Sequence, residues 1–150
     1  MKIENLKEGQ IVSVVMTIGY APNESEEFVE LEYIIGTVRN IDTRKNLVQV
    51  TYSPDVFVLP QYIHGITISE LVLKRLGWKE IEKEKIKVPR QRLSSIKTGY
   101  ERGKYQVFQE YDGKFFYVRS ASTPLMPIEY VHDLQDFGIN DLDPSKLLNK

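Results

Sequence analysis

The sequence predicts an α+β fold: a small SH3-like curled β-sheet or barrel at the N-terminus, a capped helix, then a β-hairpin packed on a C-terminal helix. Three observations carry this expectation. The first part of the chain breaks into short β-branched or alternating runs separated by polar turns. "TISELVLKRLGW" (67–78) has the start, apolar stripe and glycine stop of a helix. "YQVFQEYDGKFFYVRS" (105–120) sets Asp112-Gly113 between aromatic and β-branched runs, the residue pair of a type I′ hairpin turn.

"IVSVVMTIGY" (11–20) is too apolar to lie on a surface. In "FVELEYIIGTVRNI" (28–41), Phe28, Glu30 and Glu32 interleave with Val29, Leu31 and Tyr33, the period of a half-buried strand. "DTRKN" (42–46) is a polar turn, and "NLVQVTYS" (46–53) alternates again. "DVFVLP" (55–60) is a short strand closed by Pro60, and "APNESEE" (21–27) is an acidic loop. Strands this short with tight turns give residues 1–66 the pattern of an SH3-like β subdomain, leaving 67–150 as the helix, basic segment, hairpin and C-terminal helix, with one compact unit expected overall.

Thr67 followed by Glu70 predicts a capping box. Ile68, Leu71, Val72 and Leu76 fall at helical spacing and predict one buried face, so Leu71 is expected in the core. Gly77 suits the position just past the helix, and Trp78 can fold back as an anchor. From Lys85 to Tyr100 the chain carries Lys85, Lys87, Arg90, Arg92 and Lys97 and no acid. This stretch reads as a solvated linker, as a lysine-edged strand at "KIKV", or as a site. Past the hairpin, "PIEYVHDLQDFG" (127–138) reads as a helix with Pro127 in its first turn and a stripe of Ile128, Val131 and Leu134. A catalytic role for His132 needs an orienting acid and a nucleophile. Asp136 could hold the ring, but no nucleophile stands out, so the segment is read as a packed helix. "DPSKLL" (143–148) starts a short terminal turn, with Asp143 as cap and Pro144 next.

A net charge of −1 supplies no global field for nucleic acid or anionic membrane, although a local patch still could. There is no cysteine, hence no disulfide framework or thiolate zinc site, and His64 and His132 are too few for a multi-histidine metal centre. "MKIENLKEGQ" has no apolar signal region, and no apolar run reaches membrane-spanning length, so a cytoplasmic protein without a membrane partner is expected. No phosphate-binding glycine loop, G-x-S-x-G or H-E-x-x-H is present, and the expectation is a non-enzymatic protein without a cofactor.

The order of "NLKEGQIV" (5–12), "ITISELVLKRLGW" (66–78), the tyrosine-rich hairpin and "IEYVHDLQ" (128–135) resembles small uncharacterised proteins of phages and mobile elements of Bacteroidetes-type bacteria. The acidic loop and the basic stretch stand outside that pattern. The resemblance implies a phage or mobile-element protein in a host bacterial cytoplasm that acts by binding; it supplies no catalytic residues.

Two binding functions follow. In the first, Arg90, Arg92, Lys97, Tyr100, Arg102 and Tyr105 hold a phosphorylated small molecule, a nucleotide signal sequestered to counter host defence. Guanidinium forks match phosphate oxygens, and a tyrosine offers a face to a base. Homo-oligomerisation is expected with it, because such pockets often form between subunits and the hairpin carries much aromatic surface. In the second, the SH3-like half binds nucleic acid, with the 85–104 segment tracking the backbone; Glu24, Glu26, Glu27, Glu30 and Glu32 oppose that. An adaptor that inhibits a host factor is the third possibility.

Overall fold

The computed structural model describes residues 1–20, 29–51, 56–88, 95–111 and 116–147, with side chains throughout except at 16–20, 29–33 and 56. The acidic loop, the Asp112-Gly113 turn, Arg90 and Arg92 lie outside the described residues. The chain is broadly α+β, with two five-stranded antiparallel sheets and two short helices among the described residues. It divides into two compact units, residues 1–66 with the 3-10 turn Pro144–Leu147, and Thr67–Asp143.

In the first unit the strands are β1 (Ile11–Tyr20), β2 (Val29–Asp42), β3 (Leu47–Thr51), β4 (Val56–Val58) and β5 (Ile63–Gly65). They lie in the order β4-β3-β2-β1-β5. Among the described residues β4 and β5 are edges, so the sheet is open rather than closed into a barrel. The alternation read at 46–53 sets Val48 and Val50 inward, where they pack with Val12 and Val14, Ile34 and Val38, and Leu6 and Ile63; the alternation read at 28–33 falls on side chains outside the described set. Gly36 stands in the same inward row as Ile34 and Val38. A Cβ there would come within 2.4 Å of the Thr51 carbonyl oxygen and 2.6 Å of Val50 Cγ1, so the glycine admits a close crossing of β3 over β2. The β2–β3 turn is held by Asp42, whose Oδ1 accepts from the N–H groups of Arg44 and Lys45 at 3.1 Å each. Asn46 closes it with φ 53°, a left-handed conformation that asparagine tolerates.

In the second unit the sheet is β10-β9-β8-β7-β6, from β6 (Lys79–Ile81), β7 (Ile96–Arg102), β8 (Tyr105–Glu110), β9 (Phe116–Ser120) and β10 (Met126–Ile128). β8 and β9 pair as the sequence predicts, from Tyr105↔Ser120 to Gln109↔Phe116. The central strand is buried on both faces, since Val107 and Phe108 are both fully covered. Phe108 belongs to a cluster with Ile81, Ile86 and Ile96, packed by Val88 and Leu125. Its ring lies over Gly99, where a Cβ would meet the ring at 3.1 Å. "KIKV" is therefore not a lysine-edged strand. A 3-10 turn at Lys83–Lys85 leads into an extended run whose Ile86 and Val88 cover the sheet while Lys85 and Lys87 stay exposed. Nor is 96–102 a linker; it is β7.

The helices α1 (Glu70–Arg75) and α2 (Val131–Asp136) are shorter than their periodicity suggests. Thr67 does not cap α1. It bridges Tyr130, and the N–H of Ile68 donates to the Glu129 carbonyl at 2.9 Å, keeping the chain extended to Ser69. Ser69 Oγ then caps, accepting from Val72 N–H at 3.2 Å, and Glu70 pairs instead with Lys74. This shift turns the helix. Ile68, Leu73 and Leu76 are buried, and Leu71 is 57% exposed, contrary to its expected core position. Pro127 likewise sits in edge strand β10, where its missing N–H is tolerated, and not in a helix. Here Asp133 caps α2: its Oδ2 accepts from Glu129 and Tyr130 N–H at 2.8 Å each. Both helices end alike. Gly77 and Gly138 take positive φ, and Trp78 and Ile139 donate back to the carbonyls of Leu73 and Leu134. Trp78 is buried as expected.

Leu73→Ala is expected to cost about 2–5 kcal/mol, whereas Leu71→Ala stays within about 0.5 kcal/mol of the parent, measured by denaturant midpoints. Gly36→Ala is expected to destabilise the first unit by about 1–3 kcal/mol because strand backbone, not a flexible side-chain end, must move. An unchanged urea midpoint would refute that close crossing.

Candidate functional site

The predicted ligand set does not assemble into one site among the described residues. Arg90 and Arg92 lie outside them. Lys97 is exposed beside Glu80, Glu82 and Lys83. Tyr100 is 0% exposed, in the core rather than in a pocket wall. Arg102 is engaged by Asp141, with Nη1 donating to the carboxylate at 2.6 Å and Nη2 to the carbonyl at 3.3 Å. That guanidinium holds the Asp141 carboxyl below the usual range. Tyr105 stacks edge-on against Phe137 at 6.1 Å, with the Lys104 ammonium 5.4 Å from its ring centroid.

Cations converge instead on a neighbouring concavity of about 330 Å³ in the second unit, lined by Lys85, Lys87, Lys104 and Arg119 with the hydroxyl residues Ser120 and Thr123. Lys104 comes from the β7–β8 turn, where Gly103 takes φ 61°. Ser120 and Thr123 are fixed by a tight turn after β9: Ser120 N–H donates to Thr123 Oγ1 at 2.9 Å, and the two hydroxyls lie 3.2 Å apart. Arg119 is placed by register opposite Gln106, to whose Oε1 its Nε donates at 2.9 Å. Its Nη2 donates to the Lys87 carbonyl, and its Cζ lies 5.0 Å from the Phe108 centroid. Burial lowers its pKa, but a guanidinium stays charged at any working pH. Lys85 also leans on Glu82 at 3.3 Å, an exposed pair of little worth.

Among the described residues no acid lines this pocket. The arrangement can receive a phosphate-sized anion, with ammonium groups as point charges and hydroxyls as neutral donors. Lys85 and Lys87 belong to the basic stretch singled out in the sequence; Arg119, Ser120 and Thr123 do not. Their one sequence signal is a lone arginine in an otherwise apolar strand run, followed by closely spaced hydroxyls.

His132 is nearly buried and stacks on Tyr130, ring centroids 5.3 Å apart and 15° from parallel. Its Nε2 lies 3.9 Å from the Oδ1 of its sequence neighbour Asp133. Among the described residues no group of three or more His, Cys, Asp or Glu side chains could hold a metal ion. No helix among them is long and apolar enough to cross a membrane. Comparisons with protein-family models, curated proteins and solved structures gave no match.

Burial pushes the Tyr100 phenol up to about 12. A raised folded-state pKa leaves its contribution complete below the unfolded value of 10.0 and lost as pH climbs to about 12. Stability is therefore expected to fall by on the order of 2 kcal/mol across that window. Tyr100→Phe should remove this portion of the alkaline loss; an unaltered pH profile would contradict the assignment.

Proposed function

We propose that the protein is a non-enzymatic binding protein that captures a phosphorylated small molecule, in the simplest case a nucleotide signal, at the basic pocket. The observation that carries this reading is the convergence of Lys85, Lys87, Lys104 and Arg119 on one concavity whose lining, among the described residues, holds no carboxylate. The ligand set is thereby moved from the one read in the sequence, while the ligand class is kept. The setting in which such capture makes sense is a phage or mobile-element protein in a bacterial cytoplasm, countering a host defence. Homo-oligomerisation belongs to the same proposal, and the exposed Tyr111 and Met126 in the second unit are surfaces it could cover.

A second reading rests on the first unit. The order β4-β3-β2-β1-β5, with a 3-10 turn (Pro60–Tyr62) between β4 and β5, supports an SH3-like assignment. Phe57, 66% exposed, and Tyr62, 45% exposed, would offer stacking faces to single-stranded nucleic acid, or an apolar contact to a host protein.

Titration calorimetry with pyrophosphate and a panel of linear and cyclic nucleotides tests the first reading. Lys87→Ala combined with Lys104→Ala is expected to weaken binding about ten- to a hundredfold at unchanged thermal stability. If no member binds the parent below about 1 mM, the pocket reading fails. Backbone binding under the second reading would instead fall steeply with salt.

A further inference from the structure

The donors of the basic pocket come from separate segments. The turn after β9 brings the Ser120 and Thr123 hydroxyls, and Lys104 stands beside it because its neighbour Tyr105 pairs with Ser120. Thr123 Oγ1 accepts from the Ser120 N–H at 2.9 Å. The hydroxyl–hydroxyl bond at 3.2 Å uses one of the two hydroxyl protons and leaves the other for a ligand oxygen. Lys85 and Lys87 come from the 83–88 run. The Lys87 ammonium is exposed and makes no hydrogen bond or ion pair among the described residues. Arg119 links the two groups: it precedes Ser120 in β9, and its Nη2 donates to the Lys87 carbonyl.

Resting on the reading above, we propose that the group recognised here is a linear diphosphate, and that the pocket leaves the rest of the ligand unread. Charge sets the phosphate number. A phosphate monoester carries about −1.5 to −2 near pH 7, which matches only half of the four cations Lys85, Lys87, Lys104 and Arg119. A second phosphate joined to the first balances them. One end then meets the Ser120–Thr123 turn and the other meets Lys85 and Lys87. Lining and volume set what is left out. Among the described residues no aromatic ring lines the pocket. Phe108, the ring beneath Arg119, is fully buried and offers no face to a base. Tyr105 precedes Gln106 on β8 and so points to the opposite face of the sheet. The volume of about 330 Å³ is at the lower limit of small-ligand pockets, so two phosphates take up much of it. Purine and pyrimidine nucleotides carrying the same diphosphate therefore bind alike.

The test is titration calorimetry of the whole chain without divalent cations, which would mask the ligand charges. The probes are inorganic pyrophosphate, adenosine diphosphate, cytidine diphosphate and adenosine monophosphate. The two nucleoside diphosphates are expected within about threefold of each other. The monophosphate should bind about ten- to a hundredfold more weakly, the loss of one charge-assisted contact. Lys87→Ala, at unchanged thermal unfolding, should weaken the diphosphates about tenfold and the monophosphate by about twofold at most, so the preference narrows. A difference above about tenfold between the adenosine and cytidine diphosphates overturns the proposal, because the base is then read, while the pocket reading stands. Equal binding of monophosphate and diphosphate overturns it too, as does a Lys87→Ala variant that loses both equally. Pyrophosphate binding tighter than either nucleotide upholds the diphosphate and assigns the inorganic anion as its source, and equal affinities admit both sources. If none of the four binds below about 1 mM, the pocket reading itself fails and this proposal with it.

Discussion

One guanidinium joins the outer core of the second sheet to the basic pocket. Arg119 reaches from β9 across the Phe108 ring and bonds both Gln106 and the Lys87 carbonyl. The bond to Lys87 ties the 83–88 segment to the sheet, and Ile86 and Val88 of that segment close the cluster around Phe108. The exposed lysines at alternate positions of the same segment then face the pocket. Packing and charge are thus set by one extended run: its apolar side chains cover the sheet, and its lysines border the anion site. Substituting Arg119 would disturb both, which is why Lys87 and Lys104 are the better probes of ligand binding.

The two helices owe their form to a similar economy of local bonds. Each has only six residues, too few for independent stability. Each is bounded by a side-chain cap at its start and a positive-φ glycine at its end. Between them, the Thr67–Tyr130 bridge and the Ile68–Glu129 bond fix where both begin. Both helices thus take their starting points from backbone bonds rather than from helix propensity.

Much of this was legible in the sequence, and what was not has identifiable causes. Period-two alternation gave the inward row of β3, because side-chain direction in a strand follows from residue parity alone, and the Asp112-Gly113 pair between its β-rich flanks gave the β8–β9 pairing. The glycine stop and Trp78 anchor of α1 were readable for the same local reason. Leu71 was misplaced because Thr67 and Ser69 are both good caps, and a bridge to Tyr130, sixty-three positions later in the chain (130 − 67), decided between them. "PIEYVHDLQDFG" hid its strand because Ile128 suits a strand row and a helix stripe equally. The candidate pocket was only half visible. Its lysines stood out as a basic run, but Arg119 enters through strand register, which no short window of sequence contains.

The brevity of α1 and α2 bears on how the second unit opens. A helix of one and a half turns has no local reserve to hold its amides once its partners leave. Leu73 and Leu134, the residues whose carbonyls receive the closing bonds, are also among the most completely buried side chains. Amide exchange in α1 and α2 therefore reports the opening of the packing that buries Leu73 and Leu134 rather than a private fraying of each helix.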